Sequence, residues 1–208
     1  MGVRAALDIL ALLVCSGYCT IPLFWLMTHP FVERWRRLGR RAYSFILPTW
    51  GVIIAIVLLI AWPFRYAHFY VAWFAWAPAA ICFLLGFSIY SAAFRSLHRT
   101  QVSGLAEIEP HRHRQQLATT GIRAHVRHPI YLGHLCEILG WCVGTGLIAL
   151  YALAVFSVIT GALMIRMEDR ELEARFGEAY RAYRSRVPAV LPRLSSQPRI
   201  ATDDADSS

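Results

Sequence analysis

The sequence predicts an all-α, polytopic membrane protein with about five transmembrane helices, a C-terminal helical hairpin and a cytosolic amphipathic helix. Three observations predict it. Hydrophobic residues make up 57% of the chain and charged residues only 16%, with a mean hydropathy of +0.44; soluble domains carry roughly 25% charged residues. The charges are also segregated, so that near-uncharged stretches alternate with short arginine-rich ones. Finally, the 21 basic residues are all arginine, and almost all fall on one side of the layout these stretches imply.

A span needs about 20 mostly apolar residues, and five can be drawn: about 5–27, 44–63, 69–94, 129–146 and 147–166. The first ends in bulky "FWLMTHP" rather than a small-residue cleavage site, so a retained span is expected rather than a signal peptide. Pro48 and Pro78 fall within spans and Pro63 at a span end, positions where kinks are tolerated. The last two spans divide a single apolar run, Tyr131 to Ile165, of 35 residues. That is too long to cross a core of about 30 Å once, and "GTG" at 144–146 is its natural turn. Beyond it "RMEDRELEARFGEAYRAYRSRVP" reads as an amphipathic helix, in which Leu172, Phe176, Tyr180 and Tyr183 share a face and Gly177 interrupts. Aromatics from Trp62 to Tyr70 suit an interfacial belt.

The arginines orient the layout. Segments 28–43, 95–128 and 166–208 hold 19 of them, and the opposite side only Arg4 and Arg65. By the positive-inside rule the N-terminus lies outside and the C-terminus in the cytosol. Arginines placed beside spans serve topology and headgroups, so no nucleic-acid partner is expected. The expected domains are 1–94 (three spans), 95–192 (cytosolic loop, hairpin and amphipathic helix) and 193–208 (a polar, disordered tail). The five cysteines sit inside apolar runs without a CxxC, which suggests neither disulfides nor zinc.

Polar residues inside the fourth span point to a site. His134 and Glu137 share a helical face with Tyr131 and Trp141. Ionisable groups at such depth cost roughly 2.5–3.5 kcal/mol on insertion scales and therefore face a partner or a cavity. A neutral, hydrogen-bonded Glu137 satisfies this as well as a site-lining one does. His134 and Glu137 lack the second His/Glu pair a di-metal centre needs, so no metal is expected. If the last two spans form a hairpin, "VRHPIY" and "MEDRE" meet at its cytosolic end, joining Arg127, His128, Tyr131, Arg166, Glu168 and Asp169 in one pocket.

These residues carry a resemblance. "TTGIRAHVRHPIYLG", the hydrophobic run and "MEDRELEARFGEAYRAYRSRVPAVLP" resemble the isoprenylcysteine carboxyl methyltransferase family and, more loosely, the membrane phospholipid methyltransferases, over about residues 117–192. The resemblance implies S-adenosylmethionine as cofactor, held at the cytosolic membrane edge by Gln115, Leu117, Ala118, Arg123, His128, Pro129, Ile130, Tyr131, Glu168 and Asp169. Met164 stands where the family carries an arginine toward substrate, with Arg166 nearby.

The chemistry suits this set. A carboxylate such as Glu168 pairs with an ammonium through a charge-assisted bond, and Tyr131 offers an aromatic face to a sulfonium. Methyl transfer is an in-line displacement in which positioning supplies much of the rate. A carboxylate acceptor needs no general base; an amine or thiol does, which makes His134 and Glu137 candidates beside Arg127 and Arg166. The expected partner is a lipophilic small molecule or lipid entering from the bilayer. A phosphatidylethanolamine-type N-methyltransferase, an NADPH-dependent sterol-type reductase and a non-catalytic scaffold are the alternatives. The acceptor atom and the oligomeric state stay open.

Overall fold

The computed structural model describes residues 2–95 and 117–192, and every regular element among them is helical. Among the described residues these form seven α-helices: α1 (Val3–Thr28), α2 (Val32–Leu38), α3 (Tyr43–Ala61), α4 (Trp76–Arg95), α5 (Pro129–Thr145), α6 (Ile148–Phe176) and α7 (Glu178–Arg186). Among the described residues, three helical stretches are long and apolar enough to cross a membrane: Val3–Phe64, Trp73–Arg95 and Ile148–Phe176. Their large side chains point outward. Leu59, Ile60, Leu84, Phe87 and Val155 are each at least 60% exposed, as in a protein whose solvent is lipid.

The first stretch is folded back on itself. Short 3-10 turns at His29–Phe31 and Gly39–Ala42 bracket α2. Trp35 donates its indole N–H to the Met27 carbonyl at 3.0 Å, tying α2 to the end of α1. α3 then runs back along α1: Phe24 packs against Ala42 and Ile46, and Val57 and Leu58 reach the cluster around Ala11, Leu12 and Cys15. Trp50 fixes the middle through its N–H, 3.2 Å from the Thr20 carbonyl and 3.1 Å from its hydroxyl.

α4 and α5 pack closely because glycines on one meet large side chains on the other. A Cβ at Gly133, Gly140 or Gly144 would lie 3.1 Å from the Tyr90 ring, 2.8 Å from Phe83 and 2.7 Å from Trp76 respectively. In the reverse sense Gly86 of α4 receives the Glu137 carboxyl of α5. Small residues that admit a neighbour's bulk are the usual device where burial from water cannot drive helix association.

α5 and α6 are separated by Gly146 and Leu147. Gly146 has φ +71°, and a side chain there would collide with the Tyr70 carbonyl at 2.4 Å. The third apolar segment starts its helix later than the expected residue 69, because 67–69 pair with the α5–α6 turn instead. Phe69 N–H donates to Gly146 O at 2.8 Å, and Ile148 N–H to Ala67 O at 2.9 Å. α6 carries the fifth apolar run on into the charged stretch without a break as far as Phe176, since a change from apolar to charged residues is no helix stop. Gly177, at φ +57°, ends it and folds α7 back. Leu172 and Phe176 therefore pack with Tyr180, Tyr183, Val187 and Leu117 across a bend rather than along one helix. The five cysteines are free. The tail beyond residue 192 lies outside the described residues.

Candidate functional site

The far ends of α5 and α6 meet around one carboxylate. Pro129 opens α5 at its first turn, where a missing N–H costs nothing, and leaves His128 just outside with its ring free to turn toward α6. His128 Nε2 donates to Asp169 Oδ1 at 3.0 Å, and its Nδ1 lies 3.2 Å from Glu168 Oε2. Arg127 donates from Nη2 to Asp169 Oδ2 at 2.7 Å and from Nη1 to the Val187 carbonyl at 2.5 Å. Tyr180, delivered by the bend at Gly177, donates its hydroxyl to Asp169 Oδ1. The backbone N–H groups of Arg127 and His128 donate to the Pro188 and Ala189 carbonyls, both at 2.9 Å. The turn before α5 is thus clamped from α6 on one side and from the segment after α7 on the other.

Charge follows from these contacts. Burial by itself would lower the His128 pKa, but the carboxylates of Glu168 and Asp169 dominate and raise it to about 9. The ring is therefore an imidazolium at neutral pH, donating from both nitrogens. Asp169 is buried and saturated. Glu168 is partly exposed; His128 faces its Oε2, and no side chain among the described residues donates to its Oε1.

Arg123 lies beside this pair on the turn Gly121–Ala124. Its Nη1 donates to the Arg127 carbonyl at 2.9 Å, and its own carbonyl accepts from the Tyr183 hydroxyl at 2.6 Å. Its Nε is buried and has no partner among the described residues. Leu117 packs under Tyr180 and Tyr183, and Ala118 follows it half-buried. Gln115 lies outside the described residues.

Along α5 the polar face continues inward. The rings of His128, Tyr131 and His134 follow one another at centroid separations of 6.1 Å. Tyr131 donates its hydroxyl toward Met164 Sδ at 3.1 Å, while Ile130 presents its carbonyl to His134 Nδ1 at 2.7 Å. Glu137, one turn deeper, faces α4 at Gly86. Arg166 is exposed on α6 and pairs with none of these groups.

Several participants were not assigned from sequence. Tyr180, Tyr183 and the Val187–Ala189 carbonyls belong to the "FGEAYRAYRSRVP" stretch; its signal was visible, but the bend that turns it onto His128 was not. Tyr18 and Tyr90, whose rings meet His134 at 5.3 and 5.4 Å, come from α1 and α4. His29 at the end of α1 pairs with Glu171 at 2.5 Å. No local pattern marks these three.

Comparison with known proteins gives a family match and several partial relatives. The phospholipid methyltransferase family model matches residues 74–179. Methanethiol S-methyltransferase 2 of Bradyrhizobium diazoefficiens is 36% identical over 115 residues, 55% of this chain and 39% of that protein. The cobalt-zinc-cadmium resistance protein CzcN of Cupriavidus metallidurans is 40% identical over 80 residues, 38% of this chain and 37% of that protein. Protein-S-isoprenylcysteine O-methyltransferase of Schizosaccharomyces pombe is 33% identical over 81 residues, 36% of this chain and 33% of that protein. The aligned regions span well under half the length of these relatives. No solved structure matches.

Proposed function

This chain belongs to the phospholipid methyltransferase family, and from that membership we propose that it is a membrane methyltransferase transferring a methyl group from S-adenosylmethionine to a lipophilic acceptor. The observation that carries the proposal is the joined ends of α5 and α6. There a carboxylate with an undonated oxygen, Glu168, adjoins Arg123, whose buried Nε has no partner among the described residues.

That donor set fits the amino-acid end of S-adenosylmethionine: Glu168 for its ammonium, the Arg123 N–H for its carboxylate. Tyr131, one turn inward, offers its ring toward the sulfonium, and Leu117, Ala118, Pro129 and Ile130 form the apolar margin. Bound there, the cofactor supplies an electrophilic methyl group. The chain's own part is to orient. Asp169, spent on Arg127, His128 and Tyr180, fixes the turn from which His128 holds Glu168 in place. Arg127 is accordingly a positioning residue. His134 and Glu137 reach deeper, toward the acceptor, and exposed Arg166 serves the entrance.

In the proposed topology five spans cross the bilayer, α5 and α6 form a hairpin, and the arginine-rich sides of α2 and α7 face the cytosol. Residues 1–94 then anchor a methyltransferase core at 95–192. A charged cofactor enters from water while the acceptor comes from lipid. The family match also supports a phosphatidylethanolamine-type N-methyltransferase, whereas the relatives' names point to sulfur and oxygen acceptors. Incubating purified protein with native lipid extract and isotopically labelled S-adenosylmethionine, followed by mass spectrometry, tests the proposal. A labelled lipophilic product is expected; unlabelled lipid after prolonged incubation, with protein that binds the cofactor, would leave a scaffold.

A further inference from the structure

His134 is more than nine-tenths buried, and its Nε2 has no partner among the described residues. The tautomer follows from its other nitrogen. Nδ1 lies 2.7 Å from the Ile130 carbonyl oxygen and 2.7 Å from the Tyr90 hydroxyl oxygen. A carbonyl oxygen only accepts, so Nδ1 must carry the proton, and Tyr90 shares it as a second acceptor. In a neutral imidazole Nε2 is then a bare lone pair. A buried acceptor left unfilled costs about 1–3 kcal/mol, and this one sits in a nest of Tyr18, Tyr90 and Tyr131 on three elements.

Its place along the helix matters. His134 is six residues beyond His128, about 9 Å along α5 at the usual helical rise, with Tyr131 between them. It is therefore the polar group directly inward of the ring proposed to face the sulfonium, on the side from which a lipid-borne acceptor would come.

We propose that this nest is the acceptor subsite and that it takes a thiol, with His134 as its base; this rests on the methyltransferase reading above. A carboxylate acceptor has no proton to offer Nε2 and would set lone pair against lone pair, and the arginines around the site give it no counter-charge: Arg127 is committed to Asp169 and Val187, Arg123 is assigned above to the cofactor's own carboxylate, and Arg166 is exposed. An alkylammonium would bring a full charge to a depth where such charges cost roughly 2.5–3.5 kcal/mol. A neutral thiol behaves as a small hydrophobe with a weak S–H donor, which matches an apolar aromatic nest around one acceptor atom. In the reaction the S–H bond breaks and its proton passes to His134 Nε2. The sulfur pair forms the new S–CH3 bond while the methyl–sulfonium bond breaks, its electrons remaining on the donor sulfur as a neutral thioether. The imidazolium returns its proton to water after product leaves.

Three matched acceptors, octanethiol, octylamine and octanoate, offered to the wild-type protein with labelled S-adenosylmethionine test the class. Methylation of octanethiol in preference to the other two is expected; preference for either of the others overturns the inference, even in protein that binds S-adenosylhomocysteine. Protein that does not bind S-adenosylhomocysteine overturns the methyltransferase reading itself. The His134→Gln variant tests the role of the base. Turnover of octanethiol should fall on the order of 10²–10⁴-fold, whereas 4-nitrothiophenol, already a thiolate at neutral pH, should lose less than about 10-fold, because it has no proton to give. Equal losses on both thiols would mean that His134 is only structural. Octanethiol binding to the protein–S-adenosylhomocysteine complex, measured by calorimetry without turnover, should weaken about 5-fold in the variant for one lost hydrogen bond; unchanged binding contradicts the subsite. Where His134→Gln does not fold, the wild-type acceptor preference alone decides.

Discussion

Replacing Asp169 by asparagine tests how the turn before α5 is built. Asp169 is buried and accepts from Arg127 at 2.7 Å, from His128 at 3.0 Å and from Tyr180. Asparagine keeps the volume, but its NH2 must face one of these donors and its charge is gone. Arg127, itself 8% exposed, then becomes a buried cation without its counter-charge, a loss of about 3–5 kcal/mol. At roughly 2–4 °C per kcal/mol for a chain of this size, the unfolding midpoint in detergent should fall by roughly 10 °C. Glu168→Gln provides the contrast. Glu168 is partly exposed and makes one close side-chain ion pair, so its midpoint should move by no more than about 1 kcal/mol's worth. Its S-adenosylhomocysteine affinity should instead weaken roughly 10- to 100-fold, the worth of one hydrogen bond to a charged group. Fluorescence-monitored thermal melts and calorimetric titration read the two effects separately. If Asp169→Asn melts with wild type, or if Glu168→Gln loses stability while keeping affinity, the division between clamp and ligand contact is wrong.

His128 gives a pH prediction. Its folded pKa, about 9, lies above the ordinary value near 6.5, so its pairing contributes fully below pH 6.5 and is lost as pH rises through 9. Melts from pH 6 to 10 should show stability declining between about pH 6.5 and 9, by on the order of 1–3 kcal/mol, and His128→Asn should flatten that decline. At the α4–α5 interface, Gly144→Ala puts a Cβ 2.7 Å from the Trp76 indole and should cost about 1–3 kcal/mol. Gly51→Ala, with open space around it, should be neutral or slightly stabilising. Gly146→Ala combines a left-handed backbone with a clash at 2.4 Å and should destabilise more than Gly144→Ala in the same melt assay. Arg166→Ala, at an exposed position with no partner among the described residues, should leave the midpoint unchanged.

Much of this was legible in the sequence. Apolar run length located α1, α3 and α5 to within two residues, because the length of an apolar run is read directly from composition. α4 was less legible. Where α4 begins depends on backbone pairing between 67–69 and 146–148, nearly eighty residues apart, which no local period records. α6 ends at Gly177, the interruption visible in the sequence, since Arg, Glu and Met continue a helix as readily as Leu and Ala do. The meeting of His128 with Glu168 followed from bringing the two ends of one long apolar run together. The role of Asp169 did not, because it depends on Tyr180 and the Val187 carbonyl arriving around a glycine bend. The orphan Nε2 of His134 was equally hidden: its tautomer is set by a carbonyl on its own helix and a tyrosine on another.

The central claim, a methyl-donor site at the joined ends of α5 and α6, is tested most directly by titrating purified wild-type protein with S-adenosylhomocysteine. Saturable binding at one equivalent per chain, weakened by Glu168→Gln, is the predicted result. A flat titration with folded protein would contradict it.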